Sequence, residues 1–115
     1  MNSIEAVTYF VRYRGVPQPQ EDFVAYYREQ HAKILLEWPG LRGLVLHMPT
    51  SWDDPFPIED DATDFLAQMT FANAQALAAA LQSKARAEAR ADLANVTRGR
   101  PMSVTHQAMR SLRVL

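Results

Sequence analysis

The sequence contains no cysteine, which removes disulfides, a thiolate nucleophile and thiolate metal ligands together and fits a reducing, cytoplasmic setting. No apolar run approaches the roughly 20 residues that cross a bilayer. The opening stretch MNSIEAVTYFVRY lacks the basic segment, apolar core and small-residue cleavage site of a secretory signal. Neither charge is in excess: 12 Lys and Arg stand against 13 Asp and Glu, for a net charge of -1. Nucleic acid and membrane are therefore not expected partners. G-x-G-x-x-G, the P-loop and G-x-S-x-G are all missing, which withdraws the usual support for nucleotide binding and acyl-serine hydrolysis. Three histidines with neither H-x-H nor H-E-x-x-H spacing give no metal site, and nothing in the pattern requires a cofactor.

What is present is an ordinary globular composition, 48% hydrophobic and 22% charged over 115 residues. That length makes one domain, residues 1–115, able to bury about two thirds of the surface its unfolded chain exposes. Ile4 to Tyr13 is rich in β-branched and aromatic residues, with Ile4, Ala6 and Phe10 alternating against Val7, Tyr9 and Val11. It reads as a strand that wants cover on both faces. Pro19 at a first helical position, followed by Glu21 and Asp22, starts a helix that runs to the Pro39-Gly40 stop. Gly43 to Pro49 is a short strand, Asp64 to Phe71 a third, and Met102 to Met109 a fourth, with Ser111 to Leu115 as a tail. Between the third and fourth strands, Asn73 caps an Ala-rich helix that bends near Ser83 and continues as KARAEARADLANV. Residues 50–63 hold Pro55, Pro57 and carboxylates with no apolar period, so they form a long acidic loop.

The order β-α-β-β-α-β predicts the ferredoxin-like α+β arrangement, a four-stranded antiparallel sheet with the helices on one face. Strands that are apolar on both sides would leave the other face as a hydrophobic patch, and a homodimer through the sheet faces covers it. Charge is segregated in a way that suits association. Asp53, Asp54, Glu59, Asp60, Asp61 and Asp64 cluster in or beside the loop, whereas Lys84 to Arg113 carries seven cations against two anions. Two solvated faces would explain this, as would docking of the loop on a basic edge of the second subunit.

At about 100° per residue, Phe23, Val24, Tyr27, His31, Ile34, Leu35 and Trp38 share an arc of roughly 120° on the first helix. His31 thus lies within an apolar stripe, where an unsatisfied polar ring costs roughly 1 to 3 kcal/mol. Either it pins helix to sheet through a strand hydroxyl or carbonyl, or it faces a cavity and moves a proton near neutral pH. Tyr27, one turn earlier, is a core residue whose hydroxyl reaches water or a donor to a ligand oxygen. The facing of His47, His106, Gln68 and Thr70 is left open by the pattern. Trp38, Trp52 and Phe56 either pack separately or form an apolar lid.

EDFVAYYREQHAKIL, PGLRGLVLH and DFLAQMTFAN, with the Ala-rich helix behind them, resemble the EthD-like family of dimeric α+β barrel proteins. The Phe23, Tyr27, His31 and Pro39-Gly40-Leu41 series is the most specific match. The long loop between the second and third strands departs from the family pattern. The resemblance implies a ligand cavity between sheet and helices, and relatives that are cofactor-independent oxygenases, isomerases, cyclases or dehydratases of aromatic or polyketide-like substrates. On that basis His31 and Tyr27 are the catalytic candidates for an apolar cyclic or aromatic carbonyl compound. Phe10, Phe23, Trp38, Gln68 and Phe71 are the candidates for binding it. The alternatives are a non-catalytic dimer that binds a small molecule or serves a catabolic pathway, and a haem-binding barrel with His31 as axial ligand.

Overall fold

A computed structural model of the chain describes residues 5–115. The predicted start of the first strand at Ile4 lies outside them. Four strands form one antiparallel sheet: β1 (Glu5–Arg14), β2 (Gly43–His47), β3 (Phe65–Phe71) and β4 (Ser103–Leu112). Their spatial order is β2-β3-β1-β4, the ferredoxin-like topology in which the first and third strands lie at the centre. The central pairing sets Tyr9 opposite Met69, Val11 opposite Ala67 and Tyr13 opposite Phe65. Because side chains alternate across a strand, these residues and Val7 and Phe71 form one continuous buried layer beneath the helices.

The first connection is helical but not uniform. α1 (Gln20–Tyr26) begins after Pro19, which is the N-cap and not the first helical residue, and Glu21 and Asp22 complement the positive end. Tyr27–His31 is then a π-helical turn, followed by α2 (Ala32–Leu35). Gly40 takes φ +77, a conformation that a residue with a Cβ reaches only with strain, and there the chain turns into β2. The wider π turn explains a departure from the helical-wheel reading. It shifts the buried stripe, so that Ala32 is buried beside His31 while Ile34 is only half-buried.

The second connection is broken where the sequence indicates. Asn73 Oδ1 accepts from Ala76 N at 2.8 Å and starts α3 (Ala74–Leu81). Ser83 Oγ accepts from Arg86 N at 3.1 Å and starts α4 (Lys84–Thr97). α4 packs against α2 and the π turn on the same face of the sheet. The core there is aromatic. Tyr13 meets Phe23, Tyr27 and Phe65 edge-on, at centroid distances of 5.3, 5.7 and 5.9 Å, the arrangement that ring quadrupoles favour.

The opposite face of the sheet carries no helix. It presents Phe10, Leu66, Val45, Met109, Thr70 and Arg12, with the Arg12 guanidinium 5.2 Å from the Phe10 ring centroid. The acidic loop has no regular structure over residues 50–63. One carboxylate beside it anchors the backbone. Asp64 Oδ2 accepts from Gly15 N at 2.7 Å and Val16 N at 3.0 Å, which ties the loop's end to the turn after β1. No described helix is long and apolar enough to cross a membrane.

Candidate functional site

The π turn brings Tyr27 and His31 together on the sheet side of the helix, their ring centroids 4.7 Å apart. Such turns are rare and recur at functional sites. Both residues wall a cavity of about 50 Å³ between the sheet, the π turn and α4. His31 is 4% exposed and Tyr27 1% exposed.

The polar ring in the apolar stripe is satisfied by a side chain on α4. His31 Nδ1 lies 2.9 Å from Asp92 Oδ2. The other oxygen, Oδ1, accepts from the Tyr26 hydroxyl at 2.9 Å and from Asn95 Nδ2 at 2.9 Å. Burial pushes the Asp92 carboxyl up, but the hydrogen bonds from Asn95, His31 and Tyr26 outweigh it and hold the group below its ordinary value. Asp92 is therefore a carboxylate, and the Nδ1 of a neutral His31 must carry the proton that it donates. In that neutral ring Nε2 carries the lone pair, and His31 is one of the residues that line the cavity. Nε2 has no hydrogen-bond partner among the described residues, and it is not sealed from solvent.

The sheet wall carries a second imidazole. His106 Nδ1 lies 2.6 Å from the Tyr9 hydroxyl. Burial raises the Tyr9 phenol, with Arg86 and Arg90 pulling the other way. Burial and the same two guanidiniums lower His106. Both groups are thus neutral near pH 7, so Tyr9 donates to Nδ1 and the remaining N–H of His106 is on Nε2. Arg86 and Arg90, one turn apart on α4, stand at the mouth beside it. Deeper in the core, burial pushes the Tyr13 phenol up to about 12 and Tyr27 well above its ordinary value. Tyr27 is therefore a protonated phenol at any physiological pH, its hydroxyl within reach of the Tyr13 hydroxyl behind it.

Of the residues named from sequence, His31, Tyr27 and Trp38 meet at the cavity. Phe23 and Phe71 belong to the surrounding core and do not line it. Phe10 and Gln68 must be corrected: each lies opposite the other across β1 and β3, on the sheet face turned away from the cavity. The physical reason is strand parity, since Tyr9, Val11 and Met69 occupy the inner face and their neighbours must point outward. Gln68 Oε1 is 2.9 Å from His47 Nε2, so His47 is also on that outer face. Trp52 and Phe56 are exposed, at 52% and 71%, and form no lid with Trp38. Sequence reasoning missed Asp92, Arg86, Arg90 and Tyr9. The spacing Arg86, Ala89, Arg90, Leu93 marks one face of α4, but nothing local says that this face meets the π turn.

The EthD domain family matches residues 17–98. Comparison with curated proteins returns no match. Among solved structures, an EthD family protein from Bacillus halodurans superposes with a TM-score of 0.67 at 17% identity, over 89% of this chain and 96% of that one. SnoaB, a cofactor-independent oxygenase from Streptomyces nogalater, gives 0.60 at 15% identity, over 96% and 97%. A dimeric ferredoxin-like protein from Thermobifida fusca gives 0.58 at 13%, over 91% and 92%.

Proposed function

This chain belongs to the EthD family, and from that premise we propose that it is a small cofactor-independent enzyme that removes a proton α to the carbonyl of an apolar cyclic or aromatic compound. The observation that carries the reading is the His31–Asp92 pair at the cavity wall, which fixes the imidazole tautomer and leaves Nε2 as the base. A proton taken by Nε2 leaves an enolate on the substrate, and the Tyr27 phenol stabilises its oxygen by hydrogen bonding. Reprotonation at another carbon is isomerisation, loss of a β-hydroxyl is dehydration, attack on a second carbonyl is cyclisation, and reaction of the electron-rich carbanion with dioxygen is oxygenation. The likeness to SnoaB supports the last of these. Trp38, Val11 and Leu35 supply apolar walls.

The protein works as a homodimer through the helix-free face of the sheet. The apolar side chains Phe10, Leu66, Val45 and Met109 on that face support this, as does the likeness to a dimeric ferredoxin-like protein.

The test is deuterium uptake from D2O into cyclohexanone, followed by proton NMR. The wild type is expected to accelerate exchange at the α carbons, and His31→Ala to lose that acceleration by about 100-fold or more while its melting temperature and assembly are retained. A wild type that binds the ketone without exchanging it is instead a ligand-binding module.

A further inference from the structure

The polar atoms that face or flank the cavity are unequal in kind. His31 Nε2 is an acceptor. Against it stand donors: the Tyr27 phenol, His106 Nε2–H as fixed by the Tyr9 hydrogen bond, and the Arg86 and Arg90 guanidiniums. Trp38 adds a further one. Its ring is 5% exposed and its Nε1–H has no acceptor among the described residues. An orphaned buried donor is uncommon because leaving it unpaired is costly. Its N–H is covered by neighbouring atoms, so an acceptor reaches it only where the wall yields.

The guanidiniums lack a partner of opposite charge. Among the described residues neither Arg86 nor Arg90 has a carboxylate within salt-bridge distance. Arg86 reaches neutral groups alone, the Leu81 carbonyl at 3.3 Å and the Tyr9 hydroxyl. Asp92, the one acid on α4 near them that faces this side, is committed to His31, Tyr26 and Asn95. Arg86 is half-buried beside Tyr9 and His106, where its field is screened less than in open water.

Volume bounds the ligand's size from above. The cavity, about 50 Å³, is smaller than the roughly 150 Å³ that encloses a benzene ring. One ring fills it only by parting the wall and projecting toward α4, and the part that projects meets the two guanidiniums.

Resting on the site proposed above, we infer that the substrate is a one-ring acid, its ring oxygen held between Trp38 Nε1 and the Tyr27 phenol, its α carbon toward His31 Nε2, and its carboxylate held by Arg86 and Arg90. Arginine suits that second role because its fork matches a carboxylate with two parallel hydrogen bonds. The donor excess is then matched: two carboxylate oxygens for the guanidiniums and His106, and one neutral oxygen for the indole and the phenol.

The test uses the full chain with Trp52→Phe, so that Trp38 is the sole indole. The probes are 4-oxocyclohexanecarboxylate and its uncharged amide, titrated while the indole N–H resonance is followed by NMR. The acid is expected to shift that resonance and to bind about tenfold or more tightly than the amide. Arg86→Gln with Arg90→Gln is expected to lower acid affinity by about tenfold while leaving the amide within about twofold, and Lys at both positions, which keeps the charge but not the fork, to restore only part of the loss. Equal affinity for the two probes, or acid affinity unaltered in the Gln variant, overturns the acid assignment and leaves the His31 reading standing. An indole resonance that responds to neither probe, in a protein that still exchanges cyclohexanone, overturns the Trp38 contact. Absence of both exchange and binding overturns the site itself.

Discussion

His31 donates through Nδ1 to a carboxylate that is itself held by two further donors, so the tautomer depends on Asp92 remaining an acceptor. Asp92→Asn places an amide there, which can present its N–H2 to Nδ1 and trap the tautomer whose Nε2 carries the proton and is no longer a base. We expect ketone exchange to fall about 10- to 100-fold through kcat with KM little changed, measured by steady-state NMR rates. Folding gives a second readout. Native interactions hold the Asp92 pKa below its unfolded value, so its stabilisation is complete above the unfolded pKa of about 3.9 and is lost as pH falls through the native value. Wild-type and Asp92→Asn melting temperatures should therefore differ most above about pH 5 and converge toward about pH 2. At this scale the sequence led to His31 and Tyr27, because apolar periodicity identifies a polar intruder. It could not lead to Asp92, which is 61 residues away and on its own helix looks like any solvated acid.

Among the elements, the breaks are what aim the site. Ser83 both donates from Oγ to the Ala80 carbonyl at 2.6 Å and accepts from Arg86 N, so it stops α3 and sets where α4 begins. Ser83→Ala is expected to cost about 1 kcal/mol in urea unfolding, and also to weaken binding of a carboxylate probe by displacing Arg86. Gly40 is a cleaner backbone case. A Cβ there would meet Ala76 Cβ at 3.7 Å, ordinary contact, so the cost of Gly40→Ala comes from φ +77 and should be about 1 to 2 kcal/mol. The cap at Asn73, the bend near Ser83 and the Pro39-Gly40 stop are legible as local chemistry. The π turn is not, because an extra residue in one revolution leaves the surrounding apolar pattern compatible with a plain helix.

For the whole molecule, the proposed assembly is tested on the helix-free face. Phe10→Glu puts a charge at the centre of that face, opposite Gln68 and Gln107, where it barely disturbs the monomer core. Light scattering should find the wild type dimeric and the variant monomeric at equal secondary structure by circular dichroism, whereas a monomeric wild type would discard the interface. If the acidic loop docks on the basic edge of a second subunit, dimer dissociation must also rise between about 0.05 and 1 M salt, as screening shortens the range of the attraction from more than 10 to about 3 Å. An unchanged dissociation constant would leave the loop as a solvated surface tethered through Asp64.

The sequence by itself determined the order of elements, the antiparallel ferredoxin-like sheet and the buried placing of His31, because periodicity, caps and turn residues act over a few neighbours. Tertiary structure alone decided which strand face looks into the cavity, and so moved Phe10 and Gln68 out and His106 and Tyr9 in. It alone brought Asp92, Arg86 and Arg90 to the π turn. Parity fixes that two neighbours in a strand face opposite ways, but which way is inward depends on where the helices cross, and that is settled only when the whole chain packs.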